Sequence, residues 1–321
     1  MKQGILTALI QTYPIFNLSL SSKMMAIAVS SSKLSLPEHN PGVSTVLGFL
    51  ILKFPAISSD VWQQRMANGK VHWHDGELIN AQTPFKAQQR VYYYREVNVE
   101  PVVPFSERIV FQDDLILVAY KPHFLPVMPG GAYVEECLQN RLRRKTANPH
   151  LQAVHRIDKA TAGLVLFTHQ VETRQHYHRL FETQQITKTY QAIANIGNNA
   201  ISNDQTWEVK ARMEKSQPKF LMQIVEGVAN SHSHIRCVQQ TTEQALFELK
   251  PISGKTHQLR LHMQSIGFPL LHDTYYPALH TSRLDDYSKP LQLLAQQLRF
   301  VDPITQQVRH FSSNTELKLN A

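Results

Sequence analysis

The feature that most constrains the fold is a set of apolar segments that are short and bounded by polar or turn residues. Five such segments are candidate strands, at residues 115–120, 164–168, 187–196, 216–225 and 245–250. The first two are nearly unbroken apolar runs, which is typical of strands buried on both faces. Helical spacing of apolar residues in this region occurs at residues 134–145, 173–183 and 255–266. Because few helices separate the strands, the sequence predicts a mixed α+β fold rather than a doubly wound one.

The chain has 321 residues, which is enough for two domains. Residues 43–100 form a small α+β module, and Pro101 and Pro104 mark a linker to a larger unit at residues 101–321. Elements of the small module are predicted at residues 46–54, 60–67, 71–73, 77–80 and 90–95. Residues 1–42 are an N-terminal segment of uncertain start, because methionines at positions 24 and 25 could equally initiate the chain.

Charge and cysteine content narrow the class of protein. An excess of 33 Lys and Arg over 25 Asp and Glu gives a net charge of +8, which supports a polyanionic partner only weakly. Four cations, Arg141, Arg143, Arg144 and Lys145, end the predicted helix at residues 134–145; they either compensate the helix dipole or contact phosphate. Two cysteines exclude a disulfide scaffold, and no apolar run approaches the ~20 residues that cross a bilayer. We expect a cytoplasmic protein without membrane association.

Several common chemistries lack their sequence motifs. The chain contains no GxGxxG, GxxxxGK[ST], HExxH or GxSxG pattern, which removes the motif evidence for dinucleotide binding, P-loop phosphoryl transfer, zinc proteolysis and serine hydrolysis. His72 and His74 share one face of a predicted strand, and His232 and His234 repeat that spacing. Because no carboxylate or thiolate lies near them at a set spacing, we expect no metal site.

The segment HRIDKATAGLVLF at residues 155–167 concentrates polar chemistry directly before a buried strand. Arg156 and Lys159 would favour the ionised form of Asp158, which is the form that a nucleophile needs. The alternative is an ordinary charged turn, in which the aspartate hydrogen-bonds its own backbone.

This segment closely resembles the HRLDxxTSGLL motif of the RluA-type family of pseudouridine synthases. Three other segments resemble that family's motifs in the same order. They are LILVAYKP at residues 115–122, KTYQA at residues 188–192, and SGKTHQLRLH at residues 253–262, followed by a turn similar to IGHP. The resemblance spans about residues 108–277, and residues 43–100 are similar to the small RNA-binding module that often precedes this domain.

The resemblance implies isomerisation of uridine in RNA to pseudouridine, without a metal or nucleotide cofactor. It implies a mixed, largely antiparallel sheet with flanking helices around a central RNA-binding cleft. Asp158 matches the catalytic aspartate, and Arg260 matches the arginine that pairs with it. Tyr190 matches the tyrosine that stacks on the base and helps to remove the carbon-5 proton. Arg156 matches the residue that enters the space left by the flipped nucleotide.

Further RNA contacts are expected from His155, Lys159, Lys255 and His257. The chain departs from the family pattern at Ala162, Lys255, Phe268 and His272, so the substrate stays open: ribosomal and transfer RNA both fit. The alternative function is a non-catalytic RNA-binding or RNA-chaperone protein on the same scaffold, which would not need the aspartate, tyrosine and arginine together. We expect a monomer.

Overall fold

The computed structural model describes residues 26–27, 31–97, 99–197, 201–280 and 285–319. Its strands, in chain order, are β1 Ala26–Ile27, β2 Ser32–Ser35, β3 Val71–His72, β4 Arg90–Tyr93, β5 Glu96–Val97, β6 Arg108–Gln112, β7 Ile116–Lys121, β8 Gln152–Ala153, β9 Ala162–Thr168, β10 Ile186–Asn195, β11 Thr206–Lys215, β12 Met222–Val225, β13 Ser231–Gln240, β14 Gln244–Pro251, β15 Leu293–Val301 and β16 Val308–Ser312. Its helices are α1 Val46–Lys53, α2 Ser59–Ala67, α3 Leu138–Thr146, α4 Arg174–Glu182 and α5 Gln258–Ser265.

Eleven of the described strands form one large sheet. Nine of them follow the order β12-β11-β13-β14-β10-β15-β9-β7-β6, while β16 pairs with β15 and β8 pairs with β9. Neighbouring strands run antiparallel except β9 and β15, which are parallel. This mixed, mostly antiparallel sheet with few helices confirms the predicted α+β class.

Helices α3, α4 and α5 pack on the large sheet, and together they cover parts of both its faces. Leu142 of α3 shares a core with Phe167 on one side of β9, and Tyr177 of α4 shares a core with Leu166 on the other side. This arrangement explains the unbroken apolar run, since all seven residues of β9 are buried. Helix α5 covers a different part of the sheet, where Met263 belongs to the core over β13 and β14.

Gly163 allows the parallel contact at the centre of the sheet. It pairs with Ala295 of β15 and has a φ of +122°. A Cβ atom at this position would lie 2.2 Å from the Ala295 carbonyl oxygen, so only glycine fits both the conformation and the space. The glycine that follows the polar loop in the sequence therefore positions β9 against β15.

We expect Gly163→Ala to lower the free energy of unfolding by about 3 kcal/mol or more, because it adds a backbone clash to a strained φ. Gly130→Ala is the matched control, since its Cβ would meet only the Met128 carbonyl oxygen at 3.9 Å. Urea unfolding of both variants measures the difference. Equal stability of the two variants would contradict the close approach of β9 and β15.

Two predicted helices begin later than their sequence patterns suggest. Helix α3 begins at Leu138 rather than near residue 134, because the Glu100 carboxylate accepts hydrogen bonds from the amides of Val134, Glu135 and Glu136 and holds that segment outside the helix. Helix α5 begins at Gln258 rather than at residue 255. The preceding residue, His257, has a left-handed backbone with a φ of 55°, which a helix cannot contain.

The strand pattern also differs from the prediction in places. The candidate strand at residues 216–225 is reduced to β12, because the Leu221 amide closes a turn by donating to the Pro218 carbonyl oxygen. Six strands of the large sheet, β6, β8, β11, β13, β15 and β16, lie outside the predicted segments. No helix among the described residues is long and apolar enough to cross a membrane.

Strands β2, β3 and β4 form a separate, smaller sheet in the order β2-β4-β3, with α1 and α2 packed on it. Leu50 of α1, Trp62 of α2 and Val91 of β4 are fully buried in its core. Strand β2 lies N-terminal to residue 43, where the sequence pattern places the start of this unit, and it pairs along its whole length with β4.

Three of the four cations at the end of α3 pair with carboxylates, and the fourth, Arg143, donates a hydrogen bond to the Leu151 carbonyl oxygen. Arg141 forms ion pairs with Glu136 and Glu107, and Arg144 pairs with Glu135 at 3.1 Å. Lys145 lies 3.7 Å from Glu107. These contacts favour a structural role for the cluster over a phosphate-binding one.

Candidate active site

Asp158 lies in the loop between β8 and β9, with its side chain 27% exposed. Lys121, the last residue of β7, is fully buried and donates hydrogen bonds to the carbonyl oxygens of Pro122, Leu125 and Lys159. Burial lowers the pKa of Lys121 well below the usual lysine range, and the nearby Asp158 carboxylate opposes that shift. The lysine of the Lys-Pro turn therefore fixes the backbone next to Asp158.

Arg260 of α5 faces Asp158 from the other side of the cleft. One guanidinium nitrogen lies 3.5 Å from the Asp158 carboxylate, as the resemblance implies. The shorter contacts go to Asp273, which accepts from Arg260 Nε at 2.8 Å and from Nη2 at 2.6 Å. Burial alone would lower the pKa of Arg260, but hydrogen bonds and charge from Asp273 raise it. The guanidinium is thus permanently charged and held in one orientation.

Neighbouring backbone amides and aromatic rings also contact Arg260 and its partner Asp273. Asp273 also accepts hydrogen bonds from the amides of Tyr275 and Tyr276, and the guanidinium carbon lies 4.6 Å from the ring centre of Tyr275. His257 Nδ1 lies 2.8 Å from the Tyr276 hydroxyl, and its Nε2 lies 4.0 Å from Asp158. Burial lowers the pKa of His257. A neutral imidazole at this place can contact the substrate or Asp158 without adding a charge.

Tyr190 lines the same cavity from β10. The register of β10 against β15 shifts between Thr189 and Tyr190, and such irregularities re-aim a side chain near functional sites. Burial, and then the Asp158 charge, raise the pKa of Tyr190, so its phenol is protonated at neutral pH. The ring is available for stacking on a base.

The residues matched by resemblance meet in one cleft. A cavity of about 90 Å³ is lined by Asp158, Tyr190, His257 and Arg260, and an adjoining one of about 660 Å³ extends outward from Asp158 and Tyr190. Arg156, which is exposed, lines both. The volume of the larger cavity falls in the range of small-molecule binding sites, roughly 300–1,000 Å³.

Three of the predicted RNA-contacting residues, Lys255, Lys159 and His155, have side chains in different surroundings. Lys255 is exposed on the cleft wall, as expected of a phosphate contact. Lys159 lies in an ion pair with Asp285 at 2.8 Å, which occupies its ammonium. His155 stacks on Phe181, accepts a hydrogen bond from the Leu166 amide, and has a pKa lowered by burial to about 3. His155 is therefore a neutral ring that supports the loop.

Two residues of the site were not assigned from the sequence. Asp273 orients Arg260. The sequence indicated Asp273 only by its position after the turn that resembles IGHP. Lys188 lines the cleft two residues before Tyr190 and donates to the Ser253 carbonyl oxygen at 3.1 Å. Burial lowers the pKa of Lys188 to about 8, so it is largely charged at neutral pH. It adds a cation that can contact an RNA phosphate.

Comparison with known proteins identifies the family to which this chain belongs. Residues 115–265 match the sequence model of the family described as RNA pseudouridylate synthase. The chain is 30% identical over 226 residues to the dual-specificity RNA pseudouridine synthase RluA of Pasteurella multocida, covering 66% of this chain and 94% of that one. The chain belongs to the RluA-type family of RNA pseudouridine synthases. The family assignment from the four motifs is confirmed.

Two further similarities agree with this assignment. The pseudouridine synthase is 28% identical over 254 residues to ribosomal large subunit pseudouridine synthase D of Vibrio parahaemolyticus, covering 72% of this chain and 77% of that one. Its fold is similar to that of human RNA pseudouridylate synthase domain containing 1, with a TM-score of 0.52, 20% identity, and coverage of 69% and 94% of the two chains. The protein is an isomerase that converts uridine in RNA to pseudouridine. Family membership therefore favours the enzyme over the non-catalytic alternative.

Proposed function

We propose that this pseudouridine synthase acts on a uridine in ribosomal or transfer RNA, with Asp158 as its nucleophile. The observation that carries the proposal is the position of Asp158 in the cleft, 3.5 Å from the buried guanidinium of Arg260 and in the same cavity that Tyr190 lines. The relative from Vibrio parahaemolyticus is named for the large ribosomal subunit, which supports ribosomal RNA as a substrate class. The alternative of a binder without chemistry would not require these three side chains to meet.

The proposed reaction rearranges the bonds of uridine without gain or loss of atoms. The Asp158 carboxylate forms a bond to the nucleoside, and the bond between uracil and ribose breaks. The uracil turns and rejoins the ribose through carbon 5, which releases the aspartate. Carbon 5 then loses its proton and nitrogen 1 gains one, so the product is an isomer of the substrate. Arg260 orients the Asp158 carboxylate before attack, from 3.5 Å away.

Tyr190 has two tasks that come at different steps. Its ring stacks on the uracil, and its hydroxyl assists the removal of the carbon-5 proton. The charge of Asp158 is one of the two causes that raise the pKa of Tyr190. Asp158 is released, and carries its charge again, before carbon 5 loses its proton. The phenol is therefore protonated at that step, and its oxygen can accept the carbon-5 proton only while the hydroxyl passes its own proton on.

We expect Tyr190→Phe to lower kcat by about 10²–10⁴-fold with little change in KM, because stacking survives while the proton acceptor is lost. Release of tritium from RNA labelled at carbon 5 of uridine measures the turnover. Tyr190→Ala should raise KM as well, since it also removes the ring. If Tyr190→Phe turns over at the wild-type rate, the hydroxyl has no part in the reaction.

Arg156 is proposed to fill the gap left by the extracted nucleotide. It is exposed, lies two residues before Asp158 and lines both cavities of the cleft. Extraction of a base from a stack costs a few kcal/mol, and a planar cation that stacks in the gap and contacts phosphate offsets that cost.

Arg156→Ala should therefore reduce kcat/KM on a structured RNA stem-loop about 10-fold more than on a flexible single strand of the same sequence, which is roughly the 1–3 kcal/mol of one lost stacking contact. The comparison uses one assay and two substrates, so a general loss of folding affects both equally. An identical loss on both substrates would remove the base-extraction role from Arg156.

The smaller sheet is proposed to add RNA contacts outside the cleft. Its β3 and β4 carry His72 and Tyr92 in register, with ring centres 5.4 Å apart and planes 13° from parallel. His74 also stacks on Tyr92, with ring centres 5.6 Å apart, and Lys33 of β2 pairs with Tyr92 across the sheet. Aromatic rings beside a cation on one sheet face can stack with unpaired bases. The chain is thus proposed to divide into an RNA-contacting unit before the linker and a catalytic unit at residues 101–321.

A further inference from the structure

A second cluster of titratable side chains lies on the outer face of the large sheet. Along β13, Ser233 and Ile235 face α5, since Ser233 contacts side chains of that helix and Ile235 lies in the core beneath it. Because successive strand residues alternate between faces, His232 and His234 point to the opposite side. Strand β11 pairs antiparallel with β13 and places Glu208 directly across from His234.

These three side chains converge. The ligand atoms of Glu208, His232 and His234 all lie within 4.8 Å of one another, and among the described residues no other group of three or more His, Cys, Asp or Glu side chains does so. His232 Nε2 lies 2.9 Å from Glu208 Oε1, and the two imidazole centres are 4.7 Å apart. The histidine spacing alone predicted no metal site. The pairing of β11 with β13 supplies the missing carboxylate from 24 residues away.

We propose that Glu208, His232 and His234 form a binding site for a divalent transition-metal ion, with zinc as the best match. Two imidazole nitrogens and one carboxylate are a donor set that zinc accepts, with water in the remaining position. Tetrahedral coordination at ~2.0–2.1 Å separates ligand atoms by about 3.3 Å. The three groups would need to approach by no more than about 1.5 Å, and rotations of partly or fully exposed side chains supply that movement.

Lys210 is the main competitor for this site. Its ammonium lies 2.7 Å from Glu208 Oε1, on the same strand face. An ion pair between two exposed side chains is weak in water, so a divalent ion can displace it. Three further cations on this face have their own carboxylate partners: Arg236 pairs with Asp204 and Glu248, Lys250 pairs with Glu248, and Arg212 pairs with Glu214.

The position of the site indicates that a bound metal ion would stabilise the fold and would not take part in the reaction. It would join β11 to β13 and stabilise the end of the large sheet, because an ion that binds only the folded state raises the melting temperature. It lies on the face opposite to α5, which carries Arg260 toward Asp158. Pseudouridine formation should therefore proceed equally with and without the ion.

The test uses the full chain, stripped of metal with EDTA and then dialysed. Titration with zinc chloride in a calorimeter should give one tight site per chain, and zinc should raise the melting temperature. His232→Ala and His234→Ala should each weaken zinc binding by at least about 100-fold and abolish that rise. Lys210→Met should strengthen binding by removing the competing charge. His310→Ala is the control, since His310 is exposed on β16 and should bind no zinc.

Unchanged zinc binding in the His232→Ala/His234→Ala double variant would overturn the proposal, as would an equal loss in His310→Ala. X-ray absorption at the zinc edge gives a readout on the unmodified chain. A shell with two imidazole nitrogens is expected, and a shell of oxygen alone or of sulfur contradicts the site. Pseudouridine assays on the same samples report separately on the cleft, so failure of one proposal does not imply failure of the other.

Discussion

Asp158→Asn is expected to lower the rate of pseudouridine formation at least about 10⁴-fold, because the amide keeps the shape of the side chain but cannot act as a nucleophile. The fold should be unaffected, since the carboxylate is 27% exposed and its contact with Arg260 is long at 3.5 Å. RNA affinity should be preserved, because it depends on phosphate contacts and falls with rising salt in both proteins. Single-turnover assays with saturating enzyme isolate the chemical step.

Asp204→Asn is the matched control for that variant. Asp204 is an exposed aspartate, and it pairs with Arg236 at 2.8 Å on the outer face of the sheet. Its substitution changes the net charge by the same amount and should leave turnover unchanged. Residual turnover in Asp158→Asn of more than about one hundredth of the wild-type rate would assign the covalent step to another group.

Arg260→Ala should have the second largest effect, because one side chain serves both the fold and the reaction. The substitution leaves Asp273, whose side chain is 1% exposed, without its charge partner, and breaking a buried ion pair in this way costs about 3–5 kcal/mol. It also removes the cation beside Asp158. We therefore expect kcat to fall by about 10³-fold or more even for the fraction of protein that is folded.

Arg309→Ala separates these two consequences. Arg309 also joins two aspartates, lying 3.0 Å from Asp113 and 3.5 Å from the fully buried Asp302, but it does not line the cleft. Its loss should lower stability in urea unfolding while kcat per folded molecule stays at the wild-type value. If Arg260→Ala reduces only stability, then Arg260 is a structural residue and Asp158 is oriented by other contacts.

The sequence predicted strands whose buried positions are mostly occupied by apolar residues. Strand β9 is buried at every position and reads as an unbroken apolar run, so its sequence alone identifies it. Strand β13 has the opposite character. Its inward Ser231 and Ser233 are polar because both contact the buried ring of His262, at 2.9 and 3.0 Å. A strand whose core face is polar does not show the alternation that identifies strands in a sequence.

The site was predictable to the extent that its residues lie in contiguous motifs. Asp158, Tyr190 and Arg260 each stand in a recognisable segment, and the fold brings the three segments to one cavity. The partner that fixes Arg260 is Asp273, thirteen residues further along the chain, and only the turn after α5 brings it within 2.6 Å. Sequence spacing likewise does not reveal that Lys159 is occupied by Asp285, which lies 126 residues away.

The central claim is that Asp158 makes this chain an RNA pseudouridine synthase in the cell. The most direct measurement maps pseudouridine in total RNA from a strain that lacks the gene and carries either the wild-type protein or Asp158→Asn at equal abundance. We expect one or a few uridines in ribosomal or transfer RNA that are modified with the wild-type protein and unmodified with the variant. Identical pseudouridine maps in the two strains would contradict it.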